Sequence, residues 1–365
     1  MNPKLLAFLL PQFHRIPEND EWWGEGFTEW TNVRKARPQF PGHRQPRVPL
    51  DGKYYDLLDP EVQDWQADLA RQHGLHGFCY YHYWFAGRQL LEKPLQMILE
   101  RRQPDFPFCV AWANEPWTRT WDGGEHNVLM PQSYGDKDDW TRHFRYLEKS
   151  FADPRYIQVD GRPMILIYRT ASIPDCEAMI ECWRNLASRS GFKGLHVVSM
   201  LTFYARDERK GIFDAFAEFE PVYTQTRLPP HLRARERAFN VTSRVAWKLF
   251  GKSLFPPRSL DYEAIWREIA ARPISSGHYP GAFVDWDNSP RKSLNISLVM
   301  RNVKLDAFKR EFGRLYQKAR KAGSEFVFIN AWNEWAEGTY LEPDEELGTA
   351  YLEAIRAAVR DPAPV

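Results

Sequence analysis

Two glutamates, Glu334 and Glu337, stand three residues apart in the run AWNEWAEGTYLEPD, amid Trp332, Asn333 and Trp335. Cleavage of a glycosidic bond commonly takes two carboxyl groups. One protonates the departing oxygen, and the other acts as nucleophile, base or electrostatic partner. If the chain enters a helical turn after the apolar run Glu325 to Ala331, residues i and i+3 project the same way, with Cβ atoms about 5–6 Å apart. That is compatible with the carboxyl separation of about 5–5.5 Å in retaining enzymes. Gly338 then lets the backbone turn sharply. The acid of such a pair needs a raised pKa, for which Trp332 and Trp335 could serve as apolar walls and the second glutamate as a charge. Glutamates at this spacing also form solvated helix faces. Their position behind an apolar run favours a site.

Other polar and aromatic residues gather after similar runs. Gln12 and His14 follow the first, and Tyr81, His82 and Trp84 end the second. The third leads into WANEPWTRTWDG, with Trp112, Asn114, Glu115, Trp121 and Asp122. Trp286 and Asp287 follow the seventh. Ten of the 15 tryptophans fall at such strand ends or just beyond them, and only Trp65, Trp140, Trp183, Trp247 and Trp266 in expected helices. Aromatic faces stack on the apolar faces of sugar rings while carboxylates, amides and imidazoles grip hydroxyls. The combination points to carbohydrate. Blander readings stand beside it. Asn114-Glu115 could start a helix, and His82 could be a satisfied core histidine. Asp285-Trp286-Asp287 and Asp136-Lys137-Asp138 match the D-x-D pattern of metal-dependent glycosyltransferases, a weak signal. No metal and no cofactor is expected, and no glycine-rich nucleotide loop occurs.

These residues need a scaffold that collects strand ends. Apolar runs are expected as strands over Leu5–Leu10, Gly77–Trp84, Phe106–Ala113, Met164–Tyr168, Leu195–Leu201, near Phe213–Phe219, Gly281–Val284 and Glu325–Ala331. Amphipathic stretches separate them. One begins at Asp59-Pro60-Glu61, an N-cap with proline at the first helical position, and stops at Gly74. Eight such units predict an α/β fold, one (β/α)8 TIM barrel with long βα loops, over residues 1–365 as a single domain. Its active site then lies at the C-terminal ends of the strands. Residues Arg227 to Arg258 look inserted, with eight Arg or Lys and one acid, Glu236. A basic amphipathic helix is expected within them, packed on the barrel by its apolar face, with membrane-surface contact through 236–250 as the lesser reading.

Lys plus Arg is 49 against 48 Asp plus Glu, which gives no reason to expect nucleic acid. Cys79, Cys109, Cys176 and Cys182 lack zinc spacing and read as reduced thiols. No apolar run approaches the roughly 20 residues of a spanning helix. With no leader-like start, a cytoplasmic location is expected.

The motifs LLPQFHRIPENDEWWGEGFTEWTNV, GFCYYHYWFAGRQLLEKPL, PFCVAWANEPWTRTWDG, DWDNSPR and AWNEWAEGTYLEPD resemble the WbsX-type proteins of bacterial polysaccharide gene clusters. Those are described both as glycosyltransferases and as glycoside hydrolase family 99-like. The last motif is also similar to the active-site segment of family 99 endo-α-mannosidases and endomannanases, retaining (β/α)8 enzymes. That resemblance implies that Glu337 is the general acid/base. It also implies that Glu334 deprotonates the sugar's 2-hydroxyl, which attacks the anomeric carbon and yields a 1,2-anhydro sugar. Ala336 departs from the pattern, since the mannosidases carry a histidine there. The leading expectation is a retaining glycoside hydrolase, endo action included, on a bacterial surface polysaccharide or its precursor. The alternatives are a glycosyltransferase or transglycosylase in O-antigen assembly, and a non-catalytic glycan-binding protein.

Overall fold

The computed structural model describes residues 2–119, 124–202, 211–250, 256, 258–293 and 296–360. Trp121 and Asp122 lie outside them. Nine mutually parallel strand segments form the barrel. They are β1 Lys4–Leu9, β2 Gly77–Phe85, β3 Phe108–Trp112, β4 Arg162–Ile167, β5 His196–Leu201, β6 Ala215–Glu218, β7 His278–Tyr279, β8 Gly281–Phe283 and β9 Phe326–Asn330. Adjacent pairs run β1–β2–β3–β4–β5–β6 in chain order, and β9 pairs with both β1 and β8. Apolar residues on both faces explain why these runs read as continuous apolar stretches rather than alternating ones.

The barrel closes through one broken stave. β7 pairs with β6, Phe216 opposite His278, and β8 pairs with β9, Gly281 opposite Phe328. Pro280 stands between the halves. It has no N–H to give, but its carbonyl accepts from Phe328 N at 3.0 Å. The seventh stave therefore begins before the Gly281 expected from sequence. Gly281 is required at this seam, because a Cβ there would sit 1.9 Å from the Glu218 carbonyl oxygen.

The helices are α1 Pro17–Trp23, α2 Glu29–Lys35, α3 Pro60–Gln72, α4 Lys93–Arg101, α5 Lys137–Phe151, α6 Cys176–Arg189, α7 Val222–Arg227, α8 Pro230–Phe250, α9 Tyr262–Ala271, α10 Leu305–Lys321 and α11 Ala350–Arg360. α3 starts as expected, with the Asp59 side chain accepting from Glu61 N. Asp136, from the second D-x-D match, does the same for α5, accepting from the backbone N–H groups of Asp138 and Asp139. That carboxylate is a helix cap.

Side-chain alternation along the strands separates two environments. Phe8, Tyr81, Phe219 and Phe328 meet inside the barrel, their ring centres 5.4–5.7 Å from Phe8. Trp84 and Trp112 point the other way, onto α5 and α6. The Trp84 ring stacks on His143 at 4.6 Å, and Trp112 is wedged between His143 and Trp183. No helix among the described residues is long and apolar enough to cross a membrane.

Candidate active site

After β9 the chain makes a two-residue antiparallel bridge, Asn333–Glu334 with Thr339–Tyr340. The connection is a single 3-10 turn, Trp335–Glu337, with Glu334 at its N-cap and Gly338 closing it in the left-handed region at φ +69°. Residues three apart eclipse in such a turn, so Glu334 and Glu337 project together. Gly338 is needed twice over. Its φ disfavours any side chain, and a Cβ would lie 2.9 Å from Asp287 N. That close approach lets Asp287 N donate to the Glu337 carbonyl at 2.7 Å, fixing the turn against the loop after β8.

The two carboxyl groups share one cation. Arg291 Nη1 donates to Glu337 Oε1 at 2.8 Å and Nη2 to Glu334 Oε2 at 3.1 Å, while Nε donates to Glu29 Oε1 at 2.9 Å. Arg291 and Glu29 are largely or wholly buried, and Glu337 is the most open of the four at 22% side-chain exposure. One guanidinium thus faces three carboxyl groups. Burial pushes the Glu334 carboxyl up to about 8. Arg291 opposes that rise, while Glu337 and Glu29 add to it. Burial therefore favours the protonated form of Glu334. Tyr81 and Tyr83, inward residues of β2, lie within electrostatic reach of Glu334. Trp332 packs on Phe78, and Trp335 stacks on Tyr340 at 3.7 Å and touches Trp30.

Glu115 joins the rim from the loop after β3. It is half-buried and ion-paired with Arg169. Its pKa is raised by desolvation, with Arg169 opposing and Glu337 adding. Glu334, Arg291, Glu115 and Glu29 all act electrostatically on the buried Tyr83, whose hydroxyl is pushed up first by burial. Its ring meets Trp117 edge-on at 5.2 Å, and Trp117 meets Trp22 at 5.8 Å. Both tryptophans are only partly buried. This gives an aromatic wall beside the carboxyl groups.

Beneath the turn lies a polar layer. Glu342 accepts from Tyr55 Oη, Gln66 Nε2 and Trp335 Nε1 at 2.6–2.9 Å, and burial raises its carboxyl to about 7. Asn333, fully buried, clamps the end of β1. Its Oδ1 accepts from Leu10 N at 2.7 Å and its Nδ2 donates to Leu10 O at 3.0 Å.

Several expected site residues belong to the scaffold instead. His82, Trp84 and Trp112 face the helices because they alternate with the inward Tyr81, Tyr83 and Ala111; His82 Nε2 lies 2.8 Å from His143 Nε2. Trp332 is fully buried. Asn114 holds the end of β4, its side chain bonding Arg169 N and O at 2.8 and 2.9 Å, and is no helix cap. His14 is buried with Nδ1 on Pro11 O. Gln12 is buried, and its carbonyl accepts from Glu29 N at 3.0 Å, anchoring the start of α2. Trp286 is buried, its carbonyl accepting from Met300 N. Asp285 and Asp287 are committed to protein partners: Arg47 Nη2 donates to Asp285 at 2.8 Å, while His43 Nε2 and Gln45 Nε2 lie 2.8 and 2.7 Å from Asp287 Oδ2. Hydrogen bonding to His43, with Arg47 nearby, holds Asp287 below the usual carboxylate range despite its burial. Of the expected residues, Glu334, Glu337, Glu115 and Tyr81 converge, and Asp287 supports the turn from behind.

The molecule is thus a (β/α)8 barrel with an acidic, aromatic-walled C-terminal mouth. The family profile described as Glycosyltransferase WbsX matches residues 5–355, and the chain belongs to that family. It is 40% identical over 359 residues to the uncharacterized protein WxcX from two strains of Xanthomonas campestris pv. campestris, covering 97% of this chain. The chain spans about half the length of these relatives, 49%. Among solved structures it shares its fold with a glycoside hydrolase-like protein (TM-score 0.60, 14% identity, 98% of this chain and 94% of that one). It shares it also with the family 99 endo-alpha-mannosidase of Bacteroides thetaiotaomicron in complex with bis-tris-propane (TM-score 0.59, 13% identity, 98% and 97%).

Proposed function

We propose that the chain is a carbohydrate-active enzyme that opens a glycosidic bond through Glu334 and Glu337 with retention at the anomeric carbon. One observation carries the reading: two carboxyl groups from a single tight turn meet on one buried guanidinium at the barrel mouth. As a stabilising device this is poor, because one cation does not repay the desolvation of three carboxyl groups. Perturbed titratable groups in a cleft are instead what catalysis needs.

The chemistry follows the resemblance. Ionised Glu334 takes the proton of the 2-hydroxyl, O2 attacks C1, and the C1–O bond to the leaving group breaks as Glu337 protonates the departing oxygen. Water then attacks C1 while Glu337 takes its proton, the C1–O2 bond opens, and Glu334 returns a proton to O2. Two inversions give retention. The cycle needs one proton on the pair, carried by Glu337. Burial favours the protonated form of the deeper Glu334. The cycle therefore requires bound substrate, with Arg291 on Glu334, to favour its ionised form. Trp22, Trp117 and Tyr83 would take sugar faces.

A second reading has support of its own. The family's description names a glycosyltransferase, and a sugar hydroxyl in place of water in the second step gives transglycosylation. The structural neighbour is an endo-alpha-mannosidase, so α-mannosides head the test panel. Rhamnosides and O-antigen oligosaccharides follow, each with and without nucleotide sugars. Release of reducing ends without a donor supports hydrolysis. Product only with a nucleotide sugar overturns it in favour of transfer.

A further inference from the structure

The helix α8 carries apolar residues on two faces. Its inward side mixes polar groups with half-buried Leu232, Phe239 and Trp247. Glu236 and Ser243 are its buried residues, Glu236 Oε2 accepting from Arg301 Nη2 at 2.8 Å. Asn240 exchanges hydrogen bonds with Ser259 N and O at 2.8 and 3.1 Å, and the Arg301 guanidinium lies 3.8 Å from the Phe239 ring centre. Its outward side is apolar. Ala234, Ala238, Val241, Val245 and Leu249 recur at three- and four-residue steps on one face, all exposed. Leu249 is 69% exposed and Phe250, at the helix end, 70%. Six large apolar side chains are at least 39% exposed among the described residues, and four of them are on α8. The outer stripe, Val245 and Leu249 included, therefore does not pack on the barrel as expected, whereas Trp247 on the inward side is half-buried.

Charge decides what the stripe meets. At 100° per residue, Arg237, Arg244 and Lys248 form one row along its edge, all exposed. The one acid in the helix, Glu236, is turned inward and paired with Arg301. A second copy packed on the same stripe would bring two such rows together with no helix acid to offset them. A bilayer with anionic headgroups meets both features at once: aliphatic side chains enter the acyl boundary while the flanking cations stay among the phosphates. We propose that the outer face of α8 docks this chain on an anionic lipid surface. A surface-held barrel would then act on glycans presented there.

The test is sedimentation of the full chain with phosphatidylcholine vesicles, with and without about a third phosphatidylglycerol. Binding is expected on the anionic vesicles and should weaken as salt rises. A row of three cations contributes about fivefold each near such a surface, so the triple change Arg237→Glu, Arg244→Glu and Lys248→Glu should cost at least a hundredfold in partitioning. Val245→Asp with Leu249→Asp should cost at least tenfold. All five positions are exposed, so circular dichroism should be unchanged. Absence of vesicle binding, or equal binding to neutral and anionic vesicles, overturns the proposal. So does a dimer in solution that Leu249→Asp dissociates, which assigns the face to a second copy. None of these readouts depends on catalysis.

Discussion

Replacing Arg291 with methionine removes the one cation that Glu29, Glu334 and Glu337 share, while keeping an apolar stem of similar length. Breaking a buried ion pair from one side costs about 3–5 kcal/mol, because the stranded charges stay desolvated. Unfolding entropy near 2.1 cal/mol/K per residue amounts to roughly 0.8 kcal/mol/K for a chain of 365 residues. The melting temperature should thus fall by about 4–6 °C at pH 8. The sign of its pH dependence is fixed. Without Arg291, which opposes the rise, the buried Glu334 carboxyl binds its proton still more tightly in the folded state than at the unfolded value of about 4.3. Folded protein then holds more protons than unfolded, so the deficit grows as pH rises and shrinks toward pH 5. Glu334, already raised to about 8 with Arg291 present, lies on this side of the balance. Scanning fluorimetry of wild type and Arg291→Met at pH 5, 6.5 and 8 measures it. An equal deficit at pH 5 and pH 8, or none at pH 8, would refute the idea that Arg291 is the counterion of this site.

Other consequences concern the scaffold. Trp112→Ala should cost about 3–5 kcal/mol in urea unfolding, since its ring is packed against α5 and α6; an unchanged midpoint would return the ring to the glycan site. Gly338→Ala, at φ +69° with a Cβ 2.9 Å from Asp287 N, should lower stability by about 1–3 kcal/mol and abolish turnover. Wild-type melting and activity in that variant would mean the turn is not tightly held. Burial lowers His82 to about 3, and burial with His82 beside it depresses His143 well below the usual histidine value. Stability from such groups is complete above the unfolded value of about 6.5 and is lost as pH falls below it, about 2 kcal/mol per histidine down to pH 5. The double change His82→Asn, His143→Asn should therefore flatten the acid limb relative to wild type, and parallel limbs would contradict the shift.

The staves were legible because a parallel strand buried on both faces writes itself as a short apolar run. Gly77–Trp84 and Glu325–Ala331 were foreseen within two residues at either end. The seventh stave was only half legible, since Pro280 interrupts it and its first half is two residues long. Glu334 and Glu337 stood out because they follow such a run. Arg291 did not: a charge on a loop carries no periodicity, and its meeting with Glu29, at the start of α2, spans 262 residues of chain. The roles of Tyr83, His82 and Trp84 were recoverable. Once Tyr81 faces inward, strand alternation sends Tyr83 inward and its neighbours out. The stripe on α8 was visible as a pattern, but periodicity does not say which face meets the barrel.

The most direct test of the account is a comparison of Glu337→Gln and Glu334→Gln on the best glycan from the substrate panel and on an aryl glycoside with an activated leaving group. Circular dichroism should confirm that both variants fold. Loss of the proton donor in Glu337→Gln should lower turnover on the natural glycan by about 10²–10⁴-fold, and much less on the aryl glycoside in its first step, which needs little protonation. Glu334→Gln should impair both substrates alike, because the attacking oxygen is no longer deprotonated. Near wild-type turnover of both variants on the natural glycan would contradict the assignment and move the search to Glu115 and Arg169.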